Sequence, residues 1–222
     1  MIRGIGGIES KPMKRKRETS EHIYRVWDQR WAGENDSGKV TIIGRLMFRA
    51  KSRLLAEVVP GLGGKSIIDV GCALGYTLEA LCSTGIETVG IDVSENAVKA
   101  CRARNLPVQH LDVKEVTERF DIVFSDGMLE HFINFEPFVE EFCRISDRFV
   151  VLIQPNHQSF IGKTAVYLAD LIRGEDIVYE YNYRLTDFIR IFSEHNFRIQ
   201  KNIPVFGDWF RLLVFEKNIS LR

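Results

Sequence analysis

The segment IIDVGCALGYTLEAL, residues 67–81, constrains the chain most. A β-rich run carries an acid, Asp69, near its end and passes through Gly71 and Gly75 into a helical pattern. In a strand, glycine turn and helix taken in that order, the glycines let a ligand approach the backbone. Amides at the helix start can then meet its polar atoms. The chain beyond alternates: 88–91, 108–111, 121–125 and 149–153 read as strands, 94–104 and 136–145 as helices. Such alternation implies βαβ units and a parallel sheet covered on both faces. Later the pattern changes. Residues 185–195 read as helical, while 197–204 and 209–216 are extended runs separated only by 205–208. Strands joined so closely must be antiparallel.

Upstream, residues 1–20 are polar and basic, with Lys14, Arg15, Lys16 and Arg17 in succession, and a mobile arm is expected there. Ile23, Val26, Trp27 and Trp31 recur at helical spacing across 21–31, and a polar loop is expected at 32–39. A second helical stripe runs from Ile42 through Leu46, Met47, Leu54 and Leu55 to Val58, until Pro60-Gly61 breaks it. At 222 residues the chain has room for one full α/β domain. Its 30 Lys+Arg balance 30 Asp+Glu, which argues against broad nucleic-acid binding. No apolar run approaches the roughly 18 residues of a membrane span, and the charges near the N-terminus follow no continuous apolar stretch of a secretory signal. The four cysteines form no CxxC pair, so neither a disulfide framework nor a zinc site is expected. A soluble, cytoplasmic protein is the expectation.

Spacing separates two ligand classes at the glycine turn. A dinucleotide fingerprint starting at Gly71 needs glycines at 73 and 76, where the chain has Ala73 and Tyr76. Asp92 ends the second strand about 20 residues past Gly71, where an acid can take a ribose diol. It could instead cap the helix that follows, although Ser94 is itself a good cap. Asp112 follows the third strand in QHLDV.

Asp69, Gly71 and Gly75, with Ala73 in place of the middle glycine, resemble the (D/E)-x-G-x-G-x-G motif of class I S-adenosylmethionine-dependent methyltransferases. Phe120, Asp121, Val123, Leu129, Glu130 and His131 match FD-h-V-x-x-x-x-h-L-E-H in order, and this region is similar to the ubiquinone-biosynthesis O-methyltransferases. The resemblance implies a Rossmann-like three-layer α/β sandwich, with a mostly parallel seven-stranded sheet and an antiparallel C-terminal hairpin. The implied cofactor is S-adenosyl-L-methionine, held by Asp69, Gly71, Cys72, Ala73, Gly75, Asp92, Val93, Asp112, Val113 and Ser125. In that assignment Asp69 attracts the ammonium through water, Asp92 takes the ribose, Asp112 meets the adenine amino group and Val113 offers its amide. A further acid of the ubiquinone-type pattern is replaced by Gly127, with Asp126 one residue off, so no metal is expected. The N-P-P-Y signature of adenine and amide methyltransferases is replaced by SDGM at 125–128, which disfavours those acceptors.

Methyl transfer to a hydroxyl also requires removal of a proton, a task suited to histidine. His131, at the C-terminal edge of the fourth strand, is the leading candidate base; the alternative is that Glu130 and His131 brace their loop. His157, after Pro155-Asn156, is the second candidate. The expected organisation is a basic arm (1–20), N-terminal helices capping the site (21–60) and the methyltransferase domain (61–222), with 157–184 an acceptor-side insertion. Tyr24, Trp27, Trp31, Tyr181 and Tyr183 could line a pocket for a small-molecule acceptor. Equally, VYLADLI at 166–172 reads as an ordinary amphipathic helix. A non-catalytic cofactor-binding partner of the same fold is the competing reading, and a nicotinamide oxidoreductase a remote third.

Overall fold

The computed structural model describes residues 19–37, 42–159, 162 and 180–218. Helices α1 (Ser20–Ser37) and α2 (Ile42–Val58) precede a sheet domain. In chain order that domain runs β1 (Ser66–Val70), α3 (Tyr76–Cys82), β2 (Glu87–Asp92), α4 (Glu95–Ala103), β3 (Val108–His110) and β4 (Phe120–Asp126). It continues through α5 (Glu136–Ile145), β5 (Ser146–Pro155), α6 (Leu185–Glu194), β6 (Phe197–Val205) and β7 (Phe210–Lys217). The strands form one seven-stranded sheet in the order β3-β2-β1-β4-β5-β7-β6. The strands from β1 to β5 are mutually parallel, and β7 runs antiparallel to both β5 and β6. This is the Rossmann-like α/β architecture expected from the sequence. The strand order reverses between β1 and β4, which opens a crevice at their C-terminal ends.

Alternation along the central strands builds the two sides of the core. Ile122, Phe124, Val151 and Ile153 face α2 and α3, packing with Leu55, Val58 and Leu81. Val123, Val150 and Leu152 face the other way, against Phe138 and Phe142 of α5 and Phe188 and Phe192 of α6. Both faces are buried, so the strands are continuous apolar runs. The last of the α6 aromatics, Phe192, stacks on Phe215 of β7 at 4.1 Å and fixes the hairpin to the helix.

One local expectation is corrected. Residues 32–37, expected as a loop, continue α1. Gly33 is the one glycine there, a cost of about 1 kcal/mol, and no proline follows to stop the helix. Of the arm expected at 1–20, residues 1–18 lie outside the described residues and Ser20 already begins α1; the helix at 166–172 and most of the 157–184 segment also lie outside them.

Candidate active site

The crevice holds a cavity of about 680 Å³, roofed by α1 and α2. Its floor is the turn after β1. The Gly71 and Cys72 amides donate to the Ile91 carbonyl at 2.9 and 3.1 Å, and Ala73 N–H donates to Asp92 Oδ2 at 2.8 Å. Ala73 takes φ +48°, a left-handed backbone that costs an alanine about 1–2 kcal/mol. It therefore keeps the turn that glycine would adopt more cheaply, and the cavity runs over Gly71, Cys72, Ala73 and Leu74. Gly75 serves packing instead. A Cβ there would stand 2.5 Å from Leu106 Cδ1 and 2.8 Å from Cys101 Sγ.

Asp92 is buried at the cavity wall, and its Oδ1 accepts from Ser94 N–H at 2.8 Å. Burial raises its carboxyl, with the amide hydrogen bonds acting against that rise. Each oxygen holds one backbone amide, and a carboxylate has about four acceptor positions, so capacity for a diol remains. The cap of α4 is Ser94, whose Oγ accepts from Ala97 N–H at 3.1 Å. The same hydroxyl donates to Asp28 Oδ1 of α1 at 2.7 Å, and Asn96 N–H donates to that oxygen at 3.1 Å. Asp28 thus pins α1 over the helix start and turns Tyr24, Trp27 and Trp31 toward the cavity. Tyr24 donates its hydroxyl to Asp112 Oδ2 at 3.2 Å, while Asp112 Oδ1 accepts from Lys114 N–H at 3.1 Å. Burial and then the neighbouring Asp112 raise the Tyr24 phenol. Val93, Asp112 and Val113 line this end. The Val113 amide opens a 3-10 turn, where no intra-turn acceptor is available to it.

Asp69 is fully buried and does not line the cavity. Burial, then Asp126 and Asp92, holds its carboxyl well above the usual range. Its Oδ1 has no hydrogen-bond partner among the described residues, and its Oδ2 accepts a long 3.5 Å bond from the Thr77 hydroxyl. Thr77 itself lines the cavity and links the acid to it. Ser125 lies outside the cavity, fully buried, with its hydroxyl donated to the Val70 carbonyl at 2.9 Å. It staples β4 to β1.

The far end is acidic. Lys51 of α2 is buried and donates to both Asp126 oxygens, at 2.7 and 3.0 Å, with its ammonium 4.2 Å from the Phe210 ring centre. Gly127 follows with φ +67° and turns the chain into the 3-10 turn Leu129–His131. That turn presents Glu130 and His131 to the cavity, both buried. The His131 ring meets the Trp27 ring at 4.9 Å between centres. Glu130 Oε2 has no hydrogen-bond partner among the described residues, and burial, then Glu180, pushes this carboxyl up to about 8. His157 is buried behind the cavity rather than on its lining, with Nε2 at 4.0 Å from Glu180. Burial lowers its pKa against the pull of Glu180. The structure thus gathers Gly71, Cys72, Ala73, Asp92, Val93, Asp112, Val113 and His131 around one cavity, with Asp69, Gly75, Ser125 and His157 behind its walls.

Sequence reasoning missed Asp28, Lys51 and Thr77, and read Glu130 as a motif position or a brace of its loop without assigning it a site role. Lys51 did leave a signal, a lone cation on the stripe shared by Met47, Leu55 and Val58.

A family model for the methyltransferase domain matches residues 68–148. The chain is therefore similar to that domain family over about a third of its length. Its turn and its Asp92, Asp112 and Glu130-His131 positions all fall inside the match, whereas α1 and α2 lie outside it. The chain is 34% identical over 87 residues to the ubiquinone biosynthesis O-methyltransferase of Alkalilimnicola ehrlichii, 35% of each chain. It is also 34% identical over 85 residues to the enzyme of that name from Nitrosomonas europaea, covering 34% of this chain and 36% of the relative. The alignments therefore span about a third of the length of these relatives. Among solved structures, magnesium protoporphyrin IX methyltransferase from Synechocystis with bound S-adenosylhomocysteine superposes with a TM-score of 0.68. That pair is 18% identical, covering 89% of this chain and 97% of the other, a likeness of fold.

Proposed function

We propose that the protein is an S-adenosylmethionine-dependent methyltransferase acting on a hydroxyl of a small-molecule acceptor. The observation that carries this reading is the cavity of about 680 Å³ over the glycine turn, within the usual range for ligand sites. It has an adenosine-type end at Asp92, Asp112 and Val113 and a proton-handling end at Glu130 and His131. The residues fit the cofactor. Asp92 keeps acceptor capacity for a ribose diol, and Asp69 has an unpartnered buried oxygen linked to the cavity through Thr77, suited to an ammonium met through water. The relatives named as O-methyltransferases support oxygen as the atom methylated.

When bound, the cofactor supplies an electrophilic methyl on a sulfonium. The chain's own contribution is placement and exclusion of water. Trp27, Trp31 and Phe48 close the roof, and the Lys51–Asp126 pair holds α2 down on the crevice. His131 accepts the acceptor's hydroxyl proton, and Glu130, largely protonated near neutrality, orients the acceptor by hydrogen bonding.

Isothermal titration with S-adenosylmethionine and S-adenosylhomocysteine, with NADH as control, tests the cofactor. Micromolar binding of the first two alone is expected, and binding of NADH alone would overturn the reading. Asp92→Ala should weaken that binding by about 1–3 kcal/mol, the loss of charge-assisted hydrogen bonds. With an acceptor found by product formation, His131→Ala should slow turnover roughly 10²–10⁴-fold. An unchanged rate at saturating acceptor would leave His131 a bracing role.

A further inference from the structure

Four large apolar side chains stand exposed among the described residues, and three of them share the first turns of α2: Ile42 (69% exposed), Ile43 (59%) and Leu46 (47%). Arg45, Arg49 and Arg53 are also exposed, and none makes an ion pair among the described residues. Spacings of three, four and seven place Ile42, Arg45, Leu46, Arg49 and Arg53 on one face of the helix. From residue 38 to residue 56 there is no Asp or Glu, in a chain whose net charge is zero. The opposite face of α2 is occupied, with Lys51, Leu55 and Val58 buried and Met47 and Phe48 on the cavity. Ile43 stands one turn before Met47, so the exposed apolar ridge leads to the rim of the cavity.

We propose that this face of α2 docks the protein on an anionic phospholipid surface, with Ile42, Ile43 and Leu46 entering the interface and Arg45, Arg49 and Arg53 meeting the headgroups. Aliphatic side chains interleaved with unpaired arginines on a helix lying flat are the chemistry such a surface takes. A second copy of the chain fits poorly, because two arginine faces would repel. Nucleic acid would leave the aliphatic ridge in water. The helix does not cross the bilayer; no described helix is long and apolar enough to do so. Because α2 lies outside the family match at 68–148, the docking face is a property of this chain's own N-terminal region. The cavity mouth would then open toward the bilayer, which favours acceptors that partition into lipid.

The test is co-sedimentation of the full chain with phosphatidylcholine vesicles, with and without phosphatidylglycerol. Binding only to the anionic vesicles, weakened by added salt, is expected. At about fivefold per arginine, the Arg45→Glu/Arg49→Glu/Arg53→Glu variant should lose roughly a hundredfold or more in partition. The Ile42→Ser/Ile43→Ser/Leu46→Ser variant should lose at least about tenfold while keeping its charge. Both should retain the wild-type circular dichroism spectrum and thermal midpoint, and a variant that unfolds is replaced by the single Leu46→Ser or Arg49→Gln change. Equal binding to both vesicle types would overturn the proposal, as would binding lost on deleting residues 2–18 but untouched by the helix variants. A concentration-dependent dimer dissolved by Leu46→Ser, or retention on RNA rather than vesicles, would assign the face to those partners instead.

Discussion

Replacing Lys51 by methionine isolates the contact that holds α2 over the crevice. The ammonium lies 2.7 and 3.0 Å from the two Asp126 oxygens, and the side chains are only 6% and 11% exposed. An ion pair so shielded is not screened like a surface one. Removing the cation leaves an acid facing low-dielectric surroundings, a loss of about 3–5 kcal/mol. The lost contact with the Phe210 ring, 4.2 Å away, adds about 0.5–2 kcal/mol. Methionine keeps most of the stem packing, so little is owed to a cavity. Against a typical domain stability of about 5–15 kcal/mol, this is a large share. Urea denaturation of Lys51→Met, Asp126→Asn and the double variant closes a mutant cycle. The lysine variant should fall by about 3.5–7 kcal/mol, and the double variant should recover about 2 kcal/mol or more relative to additivity. A loss under about 1 kcal/mol with additive singles would refute the reasoning, since exposed pairs behave that way.

Glu130 gives a pH signature. Its folded pKa of about 8 exceeds the roughly 4.3 of an unfolded chain, so the folded protein keeps a proton that the unfolded one releases. Stability conferred by that proton is complete below about pH 4 and is lost as pH rises toward about 8. Glu130→Gln removes the dependence, and its stability relative to wild type should rise by about 2–4 kcal/mol between about pH 5 and pH 8; parallel urea profiles would contradict it. Asp28→Ala should cost about 1–2 kcal/mol by withdrawing the acceptor at the start of α4. The Trp27 and Trp31 fluorescence should shift as α1 loosens, and an unmoved midpoint and spectrum would show that α1 is held by other contacts.

The sheet was legible because its signals are local. Runs such as FVVLI (149–153) sit between turn residues, and side chains buried on both faces leave no polar alternation to confuse them. The glycine turn was legible for the same reason, even with Ala73 at its centre. What escaped depends on residues far apart in the chain. Asp28 meets Ser94, and Lys51 meets Asp126, and neither pairing leaves a periodicity in the sequence. Ser125 shows the opposite failure. Its place beside the motif suggests a ligand contact, but its side chain lies against the Val70 carbonyl inside the sheet. His157 follows the β5 end as expected, yet the Asn156 side chain bonds to Asp208 at 3.1 Å, and His157 is buried behind the cavity lining.

The position of β7 between β5 and β6 bears on how the protein is made. As the chain leaves the ribosome, the five parallel strands are available once β5 has emerged. The outer edge of β5 must wait for Phe210–Lys217, which pairs with it from Phe149 to Pro155. Until then an apolar strand presents unpaired backbone groups, the form most open to association with other nascent chains. Translation through the residues between β5 and β7 is therefore the interval in which a chaperone would matter most, and a stall there would leave the parallel half of the sheet formed but unsealed.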